Sequence, residues 1–182
     1  MLDTCRRHQI VLNLKKCTFL IPFGNLLGHV VYRQGLMVDP GKIVVILNVE
    51  ASRSVKQLHA TLGHTGYYRN FIKSYAQITA PMEKQLKNDA TYCWNDDCMK
   101  CLDVLKEKLA SAPILVFPKW DIEFHVHVDA SCIVLGAILT QQGEEGMDHP
   151  IIFASRWLSK AEKNYSTTEH EGLAMVYSLQ KY

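Results

Sequence analysis

The chain has 182 residues, of which 48% are apolar and 21% are charged. This composition excludes an intrinsically disordered chain, and the length suffices for one sizeable core or two small ones. The apolar runs are too short to span a membrane, and the charged N-terminal residues do not fit a secretory signal, so we expect a globular protein inside the cell with no membrane partner.

The charge is divided unevenly along the chain. Residues 1–90 contain 12 Lys or Arg and 5 Asp or Glu, a net charge of +7, whereas residues 91–182 contain 8 and 13, a net charge of −5. A basic first half is suited to a polyanion such as nucleic acid, although basic surface often serves only solvation.

The beginning of the chain predicts a helix end followed by short strands. Residues 1–9 are typical of the last turns of a helix, and residues 17–39 predict short antiparallel strands with a turn at 33–35. Pro40 favours a short helix to about residue 48, although the composition there also fits a strand.

Further helices are predicted after this region. Ser54 and Gln57 have capping-box spacing and open a helix, which we expect Gly63 and Gly66 to interrupt or bend. Residues 78–87 predict a second amphipathic helix.

The polar stretch at residues 88–97 is the predicted domain boundary. Residues 98–113 predict a helix that ends at a proline. Four strands are predicted beyond it, at residues 114–117, 123–130, 132–141 and 151–155, with a hairpin turn at 143–146.

A closing helix is predicted after the last strand. Ser166 and Glu169 have the spacing of a capping box, and Leu173, Val176 and Tyr177 can face the sheet.

For two groups of potential metal ligands, the sequence favours a structural role over metal binding. His125, His127 and Asp129 would share one face of a strand and could ligate a metal ion in a metallohydrolase, but no later His and Asp cluster completes the site. Cys98 and Cys101 form a CxxC pair without a second pair, and the six cysteines show no framework spacing, which favours reduced thiols.

Asp129 at a strand end and Glu171 in the closing helix form a further candidate site. Carboxylates on adjacent elements can hold hard divalent cations. By spacing alone, however, the structural interpretation of these two residues is preferred.

Several segments together resemble a known family. They are KKCTFLIPFGNLLGHVV, GYYRNFI, SAPILVFPKW, VDAS, GAILTQ and ASRWLSKAEKNYSTTEHEGLAMVYSLQKY. In this order they resemble the reverse transcriptase and ribonuclease H region of gypsy-type LTR retrotransposon Pol polyproteins, over nearly the whole chain.

The resemblance implies an α+β architecture of three parts. Residues 1–37 correspond to the end of the polymerase palm, residues 38–90 to a basic helical thumb, and residues 92–182 to a truncated ribonuclease-H-like mixed sheet with a packed C-terminal helix. In the family the thumb holds the template–primer duplex.

The resemblance also assigns residues to two sites. Tyr67, Tyr68, Arg69 and Lys73 correspond to nucleic-acid contacts, although Tyr67 and Phe71 could instead be packing residues, of which we expect at least one to be buried. Asp129 and Glu171 match catalytic metal ligands. In the family, two Mg²⁺ ions about 4 Å apart would activate water and stabilise the leaving oxygen during cleavage of an RNA–DNA hybrid.

Departures from the family pattern limit the expected activity. The polymerase's paired aspartates have no counterpart here, and the third nuclease carboxylate would follow Tyr182. Gly172 replaces a common Leu, which costs roughly 1 kcal/mol of helix propensity, and Cys132 replaces a common polar residue.

We therefore expect a nucleic-acid-binding fragment with weak Mg²⁺ affinity, little or no catalysis, and possible self-association through an exposed sheet edge. The alternatives are a domesticated nucleic-acid-binding or scaffold protein without catalysis and the metallohydrolase.

Overall fold

The computed structural model describes residues 2–19, 21–86, 92–144 and 146–182. Its architecture is α+β, as predicted, with two three-stranded sheets whose strands lie in chain order, and with helices before, between and after them. Every strand pairing in the described residues is antiparallel, so the mixed sheet predicted for the second half is not observed there.

The first sheet follows a short helix, α1 (Leu2–Arg7). Its strands are β1 (Phe23–Leu26), β2 (His29–Tyr32) and β3 (Leu36–Val38). Leu27 and Gly28 connect β1 to β2 with φ angles of 48° and 73°, the left-handed conformation that a tight two-residue hairpin requires. The predicted initial helix and short antiparallel strands are confirmed.

A series of helices separates the two sheets. They are α2 (Pro40–Leu47), α3 (Val55–Tyr67), α4 (Tyr75–Ile78), α5 (Ala80–Lys84) and α6 (Asp96–Ala110). The side chains of Asp39, Ser54 and Asn95 cap α2, α3 and α6 by accepting hydrogen bonds from first-turn N–H groups. The helix predicted at Pro40 is confirmed, whereas the one predicted over residues 78–87 is two short helices.

Helix α3 continues through Gly63 and Gly66 and ends at Tyr67, so the predicted interruption is wrong, whereas the alternative of a bend stays a prediction. Leu58 and Thr65 are fully buried on this helix, and Thr65 Oγ1 lies 3.0 Å from the hydroxyl of Tyr75. This burial offsets the helix propensity lost at each glycine, which is about 1 kcal/mol.

One hydrophobic core joins the helices on both sides of the predicted domain boundary. Cys98, Cys101, Leu105 and Leu109 of α6 are buried in it together with residues of α2, α3, α4 and α5. Helix α6 therefore packs as part of the helical layer. The start of the predicted boundary falls on residues 87–91, which lie outside the described residues.

The CxxC pair serves packing within this core. Cys101 Sγ donates to the carbonyl oxygen of Ile78 (2.6 Å), and Cys98 Sγ lies 3.7 Å from that of Pro81. Burial raises the pKa of the Cys101 thiol to about 11, which keeps it protonated and unreactive near neutral pH.

The second sheet consists of β4 (His125–Ala130), β5 (Val134–Gln142) and β6 (Asp148–Trp157), and α7 (Thr167–Lys181) follows it. The strand predicted at residues 114–117 is wrong, because only Leu115 pairs, in an isolated bridge with Leu36 of β3. Leu115 is buried in the helical core while Ile114 and Phe117 are exposed, so this segment links the two sheets instead of extending one.

Helix α7 covers one face of the second sheet. Val128 and Ala130 of β4 pack with Leu173 and Tyr177 of α7, and we call this side the α7 face. Ala174 is fully buried there. The predicted packing of Leu173 and Tyr177 is confirmed, but Val176 is 50% exposed and points away from the sheet.

The helical layer covers part of the opposite face. Because side chains alternate along a strand, His125, His127 and Asp129 lie there, and we call this side the histidine face. Ala76 N of α4 donates to Ser155 Oγ of β6 (3.0 Å), and Phe153 packs against the helical core. The second sheet is therefore held between the helical layer and α7.

None of the described helices is both long and apolar enough to cross a membrane.

Candidate nucleic-acid interface and carboxylate site

A groove of about 490 Å³ lies between the β1–β2 turn, α2 and α3. Its lining includes Gly28 of the turn, Lys42 of α2, and Gly63, His64 and Tyr67 of α3. A Cβ added to Gly63 would have no atom within 4 Å, so this glycine leaves the helix backbone open to the groove. An open helix surface beside a lysine and an aromatic ring can accept a phosphate backbone and its bases.

Two tyrosine hydroxyls hold the turn against α3. Tyr68 OH donates to the carbonyl oxygen of Gly28 (2.7 Å), and Tyr67 OH donates to that of Leu27. Burial, together with the nearby charge of Asp39, raises the pKa of Tyr68, which keeps its hydroxyl a donor. Paired hydrogen bonds between residues 40 positions apart fix the groove's geometry.

The aromatic rings behind the turn form one stacked cluster. His29 of β2 lies 5.6 Å from Phe71, with nearly parallel planes, and 5.2 Å from Tyr67. Phe71 is 3% exposed, which confirms that at least one of Tyr67 and Phe71 is buried. The cluster gives the exposed ring of Tyr67 a rigid support.

The four predicted nucleic-acid contacts do not occupy one surface. Tyr67 is 53% exposed and lines the groove, but Tyr68 is only 3% exposed, so its ring cannot offer a stacking face. Arg69 and Lys73 are exposed on the segment after α3.

The sequence analysis did not predict the other residues that line the groove. The turn Leu27–Gly28 and Lys42 of α2 meet Tyr67 only through tertiary contacts. The glycine in LLGH was a usable signal for a tight hairpin, but nothing local indicated that this hairpin docks on α3.

Lys73 is exposed on the segment that runs from the helical layer to β5 of the second sheet. The next residue, Ser74, has a left-handed backbone (φ 56°). A Cβ placed on Gly136 would lie 4.0 Å from Ser74 Oγ and 3.9 Å from the Cβ of Asp129. Ser74, the neighbour of the exposed Lys73, therefore lies close to the strand position of the predicted catalytic aspartate.

Asp129 and Glu171 lie toward the same end of the second sheet but on elements of opposite faces. Asp129 is exposed on the histidine face, next to the last residue of β4. Glu171 is exposed near the start of α7, which packs on the α7 face. The start of α7 is held there by His170, whose ring Nε2 lies 2.7 Å from the carbonyl oxygen of Glu162. Joint ligation of one cation by both carboxylates stays a prediction.

The two strand histidines hydrogen-bond to Asp148, in agreement with the structural role that the sequence favoured for them. His125 Nδ1 lies 2.8 Å from Asp148 Oδ1, and His127 Nε2 lies 3.0 Å from Asp148 Oδ2. Thr140 Oγ1 also donates to Asp148 (3.1 Å). Hydrogen bonds from His127 and His125 lower the pKa of Asp148. This cluster joins β4, β5 and β6, and Asp129 is not among its hydrogen-bonding partners.

The strand histidines and the pair Asp129 and Glu171 offer different ligands to a metal ion. Within the described ranges, no group of three or more His, Cys, Asp or Glu side chains is placed to hold a metal ion. Asp129 and Glu171 are exposed carboxylates, and oxygen ligands of this type suit Mg²⁺. They fit a magnesium site in donor type, although they supply only two of the ligands.

Comparison with protein families identifies the second half of the chain. Residues 94–182 match the family described as the RNase H-like domain found in reverse transcriptase. The chain is 34% identical to the retrovirus-related Pol polyprotein from transposon opus and 38% identical to that from transposon 297, both of Drosophila melanogaster. These alignments cover 98% and 96% of the chain, but the chain spans only 19% and 16% of the two polyproteins.

Solved structures show the same fold. The foamy viral protease-reverse transcriptase in complex with dsDNA matches with a TM-score of 0.79, and the same protein in complex with RNA/DNA hybrid matches with 0.77. Both matches have 22% sequence identity and cover 92% of this chain, and they cover 35% and 23% of those chains. The likeness extends across both sheets and the helical layer.

Proposed function

Because residues 94–182 belong to the RNase H-like domains found in reverse transcriptases, and the chain is homologous to a segment of retrotransposon Pol polyproteins, we propose that it binds RNA–DNA hybrid or duplex nucleic acid. The observation that carries this proposal is the groove between the Leu27–Gly28 turn and α3, with Tyr67 exposed in it. The foamy viral complexes with dsDNA and with RNA/DNA hybrid support the same ligand class.

The proposed parts follow the family's order. Residues 1–37 would be the end of the polymerase palm, residues 38–90 the thumb, and residues 92–182 the RNase H-like domain. The groove lies between the first two parts, at the β1–β2 turn and α3. A duplex resting there would extend toward Lys73 and Asp129, because the Ser74 segment lies beside Gly136 of β5.

Each exposed side chain has a defined task in this proposal. Tyr67 would stack on a base or sugar, while Tyr68 and the stacked rings behind it hold the turn in place. Lys42, Arg69 and Lys73 would meet phosphates.

A binding titration with fluorescent RNA–DNA hybrid at rising salt tests the proposal. We expect affinity to fall steeply with salt, and Lys42→Ala or Lys73→Ala to reduce the salt slope by about 1 each. Tyr67→Ala should weaken binding by roughly 1–3 kcal/mol. Lys108→Ala, an exposed lysine of α6, is the matched control and should change nothing. Affinity that is indifferent to salt would refute phosphate contacts.

The carboxylates Asp129 and Glu171 are the proposed ligands of Mg²⁺. When bound, Mg²⁺ would supply activation of water and charge stabilisation at the scissile phosphate. With two carboxylates and no third acid grouped with them in the described residues, we propose weak metal affinity and little or no hybrid cleavage by this chain alone.

Metal titration and cleavage assays test this second point separately. Calorimetric titration with Mg²⁺ should give weak binding that Asp129→Asn and Glu171→Gln each reduce. A labelled hybrid incubated with Mg²⁺ should stay largely intact with either the natural chain or Asp129→Asn. Robust cleavage that disappears in Asp129→Asn would overturn the proposed inactivity.

We also propose that the chain self-associates through the second sheet. Among the described strands, β4 lies at an edge of that sheet and pairs with β5. An open strand edge can pair with another chain.

A further inference from the structure

We infer that a pocket beside Tyr67 binds one unpaired nucleobase of the nucleic acid that the groove holds. We call it the base pocket. It has a volume of about 420 Å³ and lies where β2 and β3 meet the 3₁₀ turn Arg69–Phe71, the segment after α6, and β6. The inference rests on the proposed nucleic-acid binding and adds to it a contact with a base, which the phosphate contacts do not provide.

The base pocket is formed by contacts among the described residues. Its lining includes Leu36 and Leu115, whose main chains exchange hydrogen bonds of 2.7 and 3.0 Å. Tyr67 is held by the bond from its hydroxyl to Leu27 and by the contact of its ring with that of His29 (5.2 Å). These walls are fixed before any ligand binds, which lowers the entropy cost of binding.

Aromatic rings and aliphatic side chains form most of the lining. Tyr67, Phe71 and Phe117 supply the rings, and Ile151 and Ile152 of β6 supply aliphatic surface. Tyr67 and Phe117 are 53% and 46% exposed, so a flat ligand can reach both rings. Aromatic side chains are the usual stacking partners of unpaired bases, and the volume falls within the range of small-ligand sites, about 300–1,000 Å³.

Two polar side chains in the same lining can pair with the edge of a base. His29 Nδ1 lies 3.1 Å from the carbonyl oxygen of Leu27, which only accepts, so Nδ1 carries the hydrogen and Nε2 of the neutral ring is an acceptor. Asn70 is partly buried, and its amide both donates and accepts. An asparagine amide pairs bidentately with N6 and N7 of adenine, so we expect adenine to bind best.

The base pocket is continuous with the groove through Tyr67, which lines both. Arg69 directly precedes Asn70 in the 3₁₀ turn and is exposed, so it can meet the phosphate of a nucleotide whose base enters the pocket. A base stacked within a duplex cannot enter, because its faces are covered and its pairing edge is occupied. The ligand is therefore a base of an overhang or one that has left the stack.

An apolar peptide side chain suits the base pocket less well than a nucleobase. It would cover Asn70 and His29 Nε2 without giving either group a partner, and buried polar groups without partners oppose binding. A nucleobase offers flat faces to the rings and donors and acceptors to these two side chains. The cations Arg69 and Lys42 near the pocket and in the groove favour the same ligand, because a nucleotide also carries a phosphate.

A matched pair of RNA–DNA hybrids tests the inference by fluorescence anisotropy. One hybrid carries a single unpaired adenine nucleotide at its strand ends, and the other carries an abasic nucleotide at the same positions. We expect the first to bind roughly 5- to 100-fold more tightly, the range for one stacked base. Phe117→Ala and Asn70→Ala should each reduce this difference and leave the affinity for the abasic hybrid unchanged. Trp120→Ala, at an aromatic residue that is 83% exposed and outside the lining, is the matched control.

The outcomes distinguish the base pocket from the proposed function. Equal affinity for the two hybrids would overturn the base pocket and leave the nucleic-acid binding in place. An adenine preference that persists in both Phe117→Ala and Asn70→Ala would also overturn it, because the base would then bind elsewhere. Failure of both hybrids to bind would overturn the proposed function and the base pocket together.

Photo-cross-linking of the natural chain locates the base without any substitution. A hybrid with an unpaired 5-iodouracil nucleotide at its strand ends is irradiated in the complex, and the cross-linked peptides are identified by mass spectrometry after digestion with trypsin. We expect cross-links in peptides 57–69 and 109–119, which contain Tyr67 and Phe117. Cross-links confined to other peptides, such as the one that begins at Trp120, would overturn the assignment of the base to this pocket.

Discussion

At the scale of single residues, the hydroxyl of Tyr68 is the best-defined link between the first sheet and the helices. Its partner, the carbonyl oxygen of Gly28, is partly buried behind the groove. Tyr68→Phe should therefore destabilise the chain by about 1 kcal/mol, because a partly buried acceptor loses its donor. Urea denaturation measures the change.

Tyr67→Phe is the control for this prediction. It removes the neighbouring hydrogen bond to Leu27, but Leu27 is 81% exposed and water can replace the lost donor. Equal destabilisation by both substitutions would contradict the role assigned to burial.

Gly172 offers a substitution in the opposite direction. It lies inside α7, and an added Cβ would have no atom within 4 Å. Gly172→Ala should raise the free energy of unfolding by about 0.5–1 kcal/mol through helix propensity and reduced unfolded-state entropy. Gly28→Ala, at a φ of 73°, should instead destabilise. A loss of stability in Gly172→Ala would show that the glycine is needed for packing.

At the scale of elements, Glu162 connects the end of β6 to the start of α7. Its carboxylate receives two hydrogen bonds from Arg156, of 2.9 and 3.0 Å, and one from Ser159 N (2.7 Å). These contacts, with that of Arg156 the largest, lower the pKa of Glu162 to about 2. The backbone carbonyl of the same residue holds His170.

The lowered pKa predicts a defined pH dependence. A carboxyl group with a lowered folded pKa stabilises the fold fully above its unfolded pKa, near 4.5, and this contribution is lost as the pH falls toward 2. The difference in Tm between the natural chain and Glu162→Gln should be constant above pH 5 and should shrink below pH 4. A difference that grows on acidification would contradict the assignment.

Elements with local signals could be predicted from the sequence, and those set by distant contacts could not. Ser54 and Ser166 marked helix starts because a cap acts on its own first turn. The helix break predicted at Gly63 is absent because burial of α3 outweighs the low helix propensity of glycine. The predicted strand around Leu115 failed because its pairing depends on one residue of the first sheet.

The candidate sites show the same division. Asp129 could be placed at a strand end from its alternating pattern and from the family resemblance. The bond between His127 and Asp148, in contrast, could not be predicted. It depends on the register of β5 and β6, which a single sequence does not disclose.

At the scale of the whole molecule, the helical layer and the second sheet form one packed unit. Phe153 of β6 packs against the helical core, and Ser155 accepts a hydrogen bond from Ala76 N. Phe153→Ala should destabilise the chain by roughly 2–4 kcal/mol. It should lower the Tm of one cooperative unfolding transition, which circular dichroism and tryptophan fluorescence should both report. Phe117→Ala, at a residue 46% exposed, is the control. Two separate transitions in the natural chain would refute the shared core.

The bridge between Leu36 and Leu115 joins the first sheet to the segment that follows α6. It consists of two main-chain hydrogen bonds, of 2.7 and 3.0 Å, which any residue other than proline can supply. Gly35 is the exception, because a Cβ there would lie 2.2 Å from the carbonyl oxygen of Leu115. Divergent copies that retain this joint should therefore keep glycine at 35 and, because Leu115 is buried in the helical core, an apolar residue at 115.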